Sequence, residues 1–172
     1  MSLLIKNYNF LEITNEVINN CIRDVDFIYE NKEFIKLNCP QQTHDILFDE
    51  RNPKYSKNWQ ILKNTFLQSV ENYSGKKFNN CKAWVFACFP QTKTIQYDWH
   101  IHPNAIFTGI MYLSLPNGSN TTEFMNEDKT TFFLPHKIAE WFIFRKEYVH
   151  RNGYWDFEKM NDKRYCLAAS II

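Results

Sequence analysis

Three of the five histidines have types and spacing that suggest chemistry: His100 and His102 in Asp98-Trp99-His100-Ile101-His102-Pro103, and His150 in Glu147-Tyr148-Val149-His150-Arg151. Successive side chains on an extended strand alternate between faces, so the two imidazoles of His-x-His project together while Ile101 points the other way. Two such imidazoles can grip one metal ion. A third ligand from a remote strand, the place His150 can fill, leaves coordination positions open for substrate or dioxygen, as a non-haem iron oxygenase requires. Asp98 shares the face of His100 by the same alternation. His-x-His alone equally describes two polar residues on a solvated strand, so the elements that carry it matter.

Up to about residue 80 the signals are helical. Val17, Cys21 and Val25, beside Ile18 and Ile22, form an apolar stripe after a Thr14 cap. Residues Pro40 to Lys54 are polar and without period, and read as loop. A second helix runs from a Ser56 cap, carries Trp59, Leu62, Phe66, Val70 and Tyr73 on one face, and stops at Gly75. From Cys81 the texture changes to short aromatic and β-branched runs: Lys82–Phe89, Thr92–His102, Phe107–Leu115, Thr121–Met125, Thr130–Leu134, Trp141–Phe144 and Arg164–Ile172. Turn signals such as Leu115-Pro116-Asn117-Gly118 and Arg151-Asn152-Gly153 separate them. Strands in succession with no helix between them predict an antiparallel jelly roll or barrel rather than βαβ units.

The bulk composition agrees. A chain of 172 residues, 44% hydrophobic and 17% aromatic, supports a core within a single domain spanning 1–172 and argues against disorder. A net charge of +1 leaves no one-signed surface for nucleic acid. The five cysteines are odd in number and lack CxxC spacing, which predicts a reduced, cytoplasmic protein. No apolar run approaches the roughly 18 residues of a membrane span.

Read together, Lys82-Ala83-Trp84-Val85-Phe86, the stretch His100 to Leu113, Trp141-Phe142-Ile143-Phe144 before His150, and Arg164-Tyr165-Cys166 resemble one family. It is the 2-oxoglutarate/iron(II) oxygenases of the prolyl-hydroxylase-like superfamily, especially the small bacterial and phage-type members. There the strand after the metal-binding pair carries a small-Gly-aliphatic-x-Tyr-Leu pattern, which Thr108-Gly109-Ile110-Met111-Tyr112-Leu113 resembles. The resemblance implies a mainly β, α+β fold: a double-stranded β-helix core of jelly-roll or cupin type over residues 81–172, with residues 1–80 as helical and loop support packed on its sheet.

The same resemblance implies iron(II) as cofactor and 2-oxoglutarate as cosubstrate. His100 and His150 correspond to the family's two imidazole ligands, and His102 stands where most relatives place Asp or Glu. Either three imidazoles hold the iron, or a carboxylate from Asp98 or Glu123 completes the site while His102 serves the substrate. Arg164 corresponds to the cation that binds the distal carboxylate of 2-oxoglutarate, a task suited to a planar guanidinium. The plain alternative for Arg164 is a surface ion pair with Asp162 or Glu158. Tyr112 corresponds to the hydroxyl that supports the cosubstrate, and Cys166 stands where relatives often have Ser. No catalytic side chain beyond the ligands is expected.

The implied activity is a dioxygenase that hydroxylates a peptidyl residue or a small metabolite, without a membrane or nucleic-acid partner. The competing readings are a three-His cupin-type dioxygenase that uses no 2-oxoglutarate, and a non-catalytic jelly-roll binding module. Trp84, Trp99 and Trp141 read as packing, His44 and His136 as solvated bystanders, and Arg145, Lys146 and Arg151 as a basic rim. The N-terminal half shows no readable chemistry.

Overall fold

The computed structural model describes residues 4–90, 98–154, 156 and 158–172. Helix α1 (Asn15–Asn31) begins where the Thr14 hydroxyl accepts the N–H of Val17, and it ends at Lys32 in the left-handed region. Helix α2 (Lys57–Ser74) stops at Gly75, whose φ of 73° costs a glycine little. Both helices lie on one face of a seven-stranded antiparallel sheet. In chain order its strands are β1 (Lys6–Tyr8), β2 (Ile35–Lys36), β3 (Cys39–Thr43), β4 (Cys81–Cys88), β5 (Phe107–Ser114), β8 (Trp141–Arg145) and β10 (Arg164–Ile171). They are arranged β1-β8-β5-β10-β4-β3-β2. The second sheet is β7-β6-β9, from β6 (Glu123–Met125), β7 (Thr131–Phe133) and β9 (His150–Arg151).

Alternation along the central strands sorts side chains into two cores. Val85, Met111, Ile143, Tyr165 and Leu167 face the helices and pack on Val25, Trp59 and Phe66. Their neighbours Phe86, Ile110, Tyr112, Phe142, Phe144 and Cys166 face the second sheet and pack around Phe124. Because both faces are covered, these strands read as nearly continuous apolar runs. Gly109 shows how close the helix layer comes. A Cβ there would lie 2.7 Å from Cδ1 of Ile143 and 2.8 Å from Cε2 of Phe66.

The architecture is the double-stranded β-helix expected, with one correction. Residues 40–54 are not all loop: β3 occupies the first of them, pairing with β4 through Gln42 and Phe86. Its polar sequence has little strand propensity of its own. Pairing supplies it, helped by Thr43, whose buried hydroxyl accepts the N–H of Val85 at 3.0 Å. The first 80 residues therefore supply three strands as well as the helices. Most of the expected run Thr92–His102 lies outside the described residues. Residues 91–97 lie outside the described residues, and from Asp98 onward only His100 forms a bridge, to His150. Among the described residues no helix is long and apolar enough to cross a membrane.

Candidate metal and cosubstrate site

The bridge between His100 and His150 builds the site. Their backbones exchange hydrogen bonds of 2.9 and 3.0 Å, and the His102 N–H donates to the Lys146 carbonyl at 3.2 Å. Two segments distant in sequence are thereby laid side by side with three imidazoles on one side, while Ile101 turns outward, 44% exposed. One ligand atom from each ring lies within 4.8 Å of the others, and among the described residues this is the one such cluster of His, Cys, Asp or Glu.

Hydrogen bonding orients two of the rings. Nδ1 of His150 lies 2.8 Å from the Tyr148 carbonyl, and Nδ1 of His100 lies 3.0 Å from the Asp98 carbonyl. A carbonyl only accepts, so both protons sit on Nδ1 and both Nε2 lone pairs face the cluster. Nε2 of His102 and Nε2 of His150 are 3.1 Å apart. Two imidazole nitrogens bound at right angles to one divalent ion, each at about 2.1 Å, stand about 3 Å apart. The donor set therefore fits a divalent metal, and neutral imidazole suits iron.

The His102 and His150 rings also stay neutral. Burial, aided by the nearby His100, pushes His102 down to about 4 and His150 down to about 3. Phe124 and Phe144 supply much of that dry surrounding, with ring centroids 5.3 and 5.0 Å from His150. Of the two carboxylates considered from the sequence, Asp98 lines the cavity but stands outside the imidazole cluster. Glu123 accepts Nε of Arg151 at 2.7 Å and is absent from the cavity lining.

The imidazoles open into a cavity of about 570 Å³, whose lining also includes Arg164, Tyr112, Thr122 and Cys166. Arg164 is 2% exposed, and Nη1 donates to the carbonyls of Asn120 and, at 3.2 Å, Gly153. It is therefore a buried cation on the inner face of β10, and no ion pair joins it to Asp162 or Glu158 among the described residues. The Tyr112 hydroxyl accepts the Thr122 N–H at 2.6 Å and shares a 2.8 Å hydrogen bond with the Thr122 hydroxyl.

Other residues find different places. Arg145 pairs with Glu147, and Arg151 stacks on Trp99 at 4.2 Å, so neither is an idle basic rim. Trp141 is core, donating to Thr65. His44 is exposed and contacts the Ile35 carbonyl, and His136 is exposed. Lys36, Gln42, Asp45 and Trp84 line the cavity, although the sequence reading left the N-terminal half without chemistry and read Trp84 as packing. For Trp84 the signal was its alternation with Ala83 and Val85 on a strand covered on both faces. For the other three there was no periodic signal.

No family model matches the chain, and neither does any curated protein sequence. Solved structures do match, by shape. A prolyl-4-hydroxylase from Pseudomonas putida is 9% identical with a TM-score of 0.67, covering 99% of this chain and 93% of that one. A prolyl hydroxylase from Trichoplax adhaerens, solved with a hypoxia inducible factor oxygen degradation domain peptide fragment, is 13% identical with a TM-score of 0.67, covering 96% and 82%. The non-heme alpha ketoglutarate dependent carbocyclase SnoK from nogalamycin biosynthesis is 8% identical with a TM-score of 0.71, covering 97% and 78%. At these identities the likeness is one of fold, shared along almost the whole chain.

Proposed function

We propose that the protein is an iron(II)- and 2-oxoglutarate-dependent dioxygenase that hydroxylates its substrate, with His100, His102 and His150 as the metal ligands. The observation that carries this reading is the convergence of three imidazoles, two of them fixed by backbone carbonyls, in one cavity with a buried arginine. The shared fold with oxygenases supports it. Bound iron and 2-oxoglutarate would supply the oxidising chemistry: 2-oxoglutarate loses carbon dioxide and becomes succinate with one atom of dioxygen, and the other atom enters a substrate C–H bond as hydroxyl.

The chain's own residues bind and orient. Arg164 would take the distal carboxylate of 2-oxoglutarate in a charge-assisted pair, strengthened by its burial. The Tyr112 hydroxyl, held by Thr122, would donate to the same carboxylate. Phe124 and Phe144 exclude water from the side of His150. Imidazoles complete the ligand set because no carboxylate joins their cluster among the described residues.

The test is anaerobic absorption of the iron(II) protein with and without 2-oxoglutarate. A visible metal-to-ligand charge-transfer band, absent from His150→Ala and weakened in Arg164→Ala, is the expected result. Bound iron without the band would favour a three-His dioxygenase that needs no keto acid. Failure to bind iron would leave a non-catalytic module.

A further inference from the structure

The remainder of the cavity bears on what is oxidised. Lys36 on β2 and Asp45 just after β3 form an ion pair of 2.9 Å, with side chains 35% and 38% exposed, on the cavity lining. Oδ1 of Asp45 is shielded from solvent, with the Lys36 ammonium as its ion-pair partner. Trp84 lies between this pair and the imidazoles. Its ring is 5.8 Å from His102 and 6.0 Å from Nζ of Lys36.

On the function proposed above, we infer that the substrate is a small zwitterion, a free α-amino acid whose carboxylate pairs with Lys36, whose ammonium pairs with Asp45, and whose side chain lies along Trp84 toward His102.

Charge balance supports this class. Among the described residues, the cavity's charged lining consists of two cations, Lys36 and Arg164, and two anions, Asp45 and Asp98. Three neutral imidazoles leave a divalent ion at full charge, and dianionic 2-oxoglutarate cancels it. The described lining, loaded in this way, is thus neutral overall, and a substrate with net charge would lose hydration there without compensation. A zwitterion keeps both charges of this pair matched: one Lys36–Asp45 contact is exchanged for two, one at each end of the ligand. The α-carbon holds the two groups about 3 Å apart, a separation like that of the pair itself. A residue inside a peptide chain offers neutral amides there, whose hydrogen bonds to Lys36 and Asp45 bring no opposite charge to either.

The experiment is calorimetric titration of the anaerobic protein loaded with iron(II) and 2-oxoglutarate. The probes are the proteinogenic amino acids, followed by the N-acetyl and carboxamide forms of whichever binds tightest. Each blocked form is expected to bind at least about tenfold more weakly than the free amino acid. Lys36→Met should erase the discrimination against the carboxamide, Asp45→Asn should erase that against the N-acetyl form, and Lys36→Arg should retain the wild-type pattern. The charge-transfer band, recorded on the same samples, reports folding and cosubstrate binding separately. Blocked forms binding as tightly as free ones, or no amino acid binding to protein that holds 2-oxoglutarate, would overturn the inference while leaving the proposed function standing. Protein that cannot hold 2-oxoglutarate would overturn both.

Discussion

Arg164 bears a permanent charge at 2% exposure, so its environment must repay the lost hydration, and the carbonyls of Asn120 and Gly153 do part of that. A carboxylate arriving in the cavity would do more. Arg164→Ala should weaken 2-oxoglutarate binding about 100-fold, from the roughly 3 kcal/mol of a buried charge-assisted pair, with iron affinity changed little. Parallel iron and keto-acid titrations check this, and equal losses of both would mean that the loops tied by Arg164 had come apart. His102 poses the complementary question. His102→Asp adds a negative ligand to a neutral set and should tighten iron(II), measurable by competition with a chelator. If iron stays bound but turnover stops, His102 handles substrate or oxygen rather than metal.

At the scale of elements, the sheet that carries the site fits closely against the helix layer. In Gly109→Ala the new methyl would stand 2.7 Å from Ile143 and 2.8 Å from Phe66, close enough that a side chain or α2 must move. The expected cost is about 1–3 kcal/mol, at roughly 2–4 °C of Tm per kcal/mol, with partial rescue by Phe66→Leu in a double-mutant cycle. An unchanged Tm would show that the layer is loosely packed. Elements of this kind were legible in the sequence because they are periodic. Thr14 and Gly75 bound the helices as read, and β4, β5, β8 and β10 fall on the aromatic runs. The imidazole cluster was legible because strand alternation and the resemblance both bore on it. The β2–β3 hairpin was not, since Gln41, Gln42 and Thr43 become a strand only through their partners β2 and β4. The cavity wall that includes Lys36 and Asp45 was therefore hidden with it.

For the whole molecule, the cysteines are a store of pH-dependent stability. All five are free thiols, and burial pushes Cys81 and Cys88 up to about 11 and Cys166 up to about 12, with Cys21 raised further. The Arg164 guanidinium pulls Cys88 and Cys166 back, but burial is the larger effect, so both stay protonated at neutral pH. In the unfolded chain these thiols ionise near pH 8.5. An acid whose folded pKa is the higher one favours the folded state fully below the unfolded pKa, and that advantage is lost as pH rises toward the folded value. The buried tyrosines Tyr112 and Tyr165, also raised by burial, act in the same direction at higher pH. Stability in reductant should therefore hold to about pH 8.5 and then fall, by at most roughly 1.4 kcal/mol per pH unit for each buried thiol. Urea midpoints at pH 8 and pH 10 measure the loss, and it should shrink in Cys166→Ala. Equal midpoints would mean that the thiols ionise in place, which would set thiolates beside Arg164 and weaken its hold on any carboxylate.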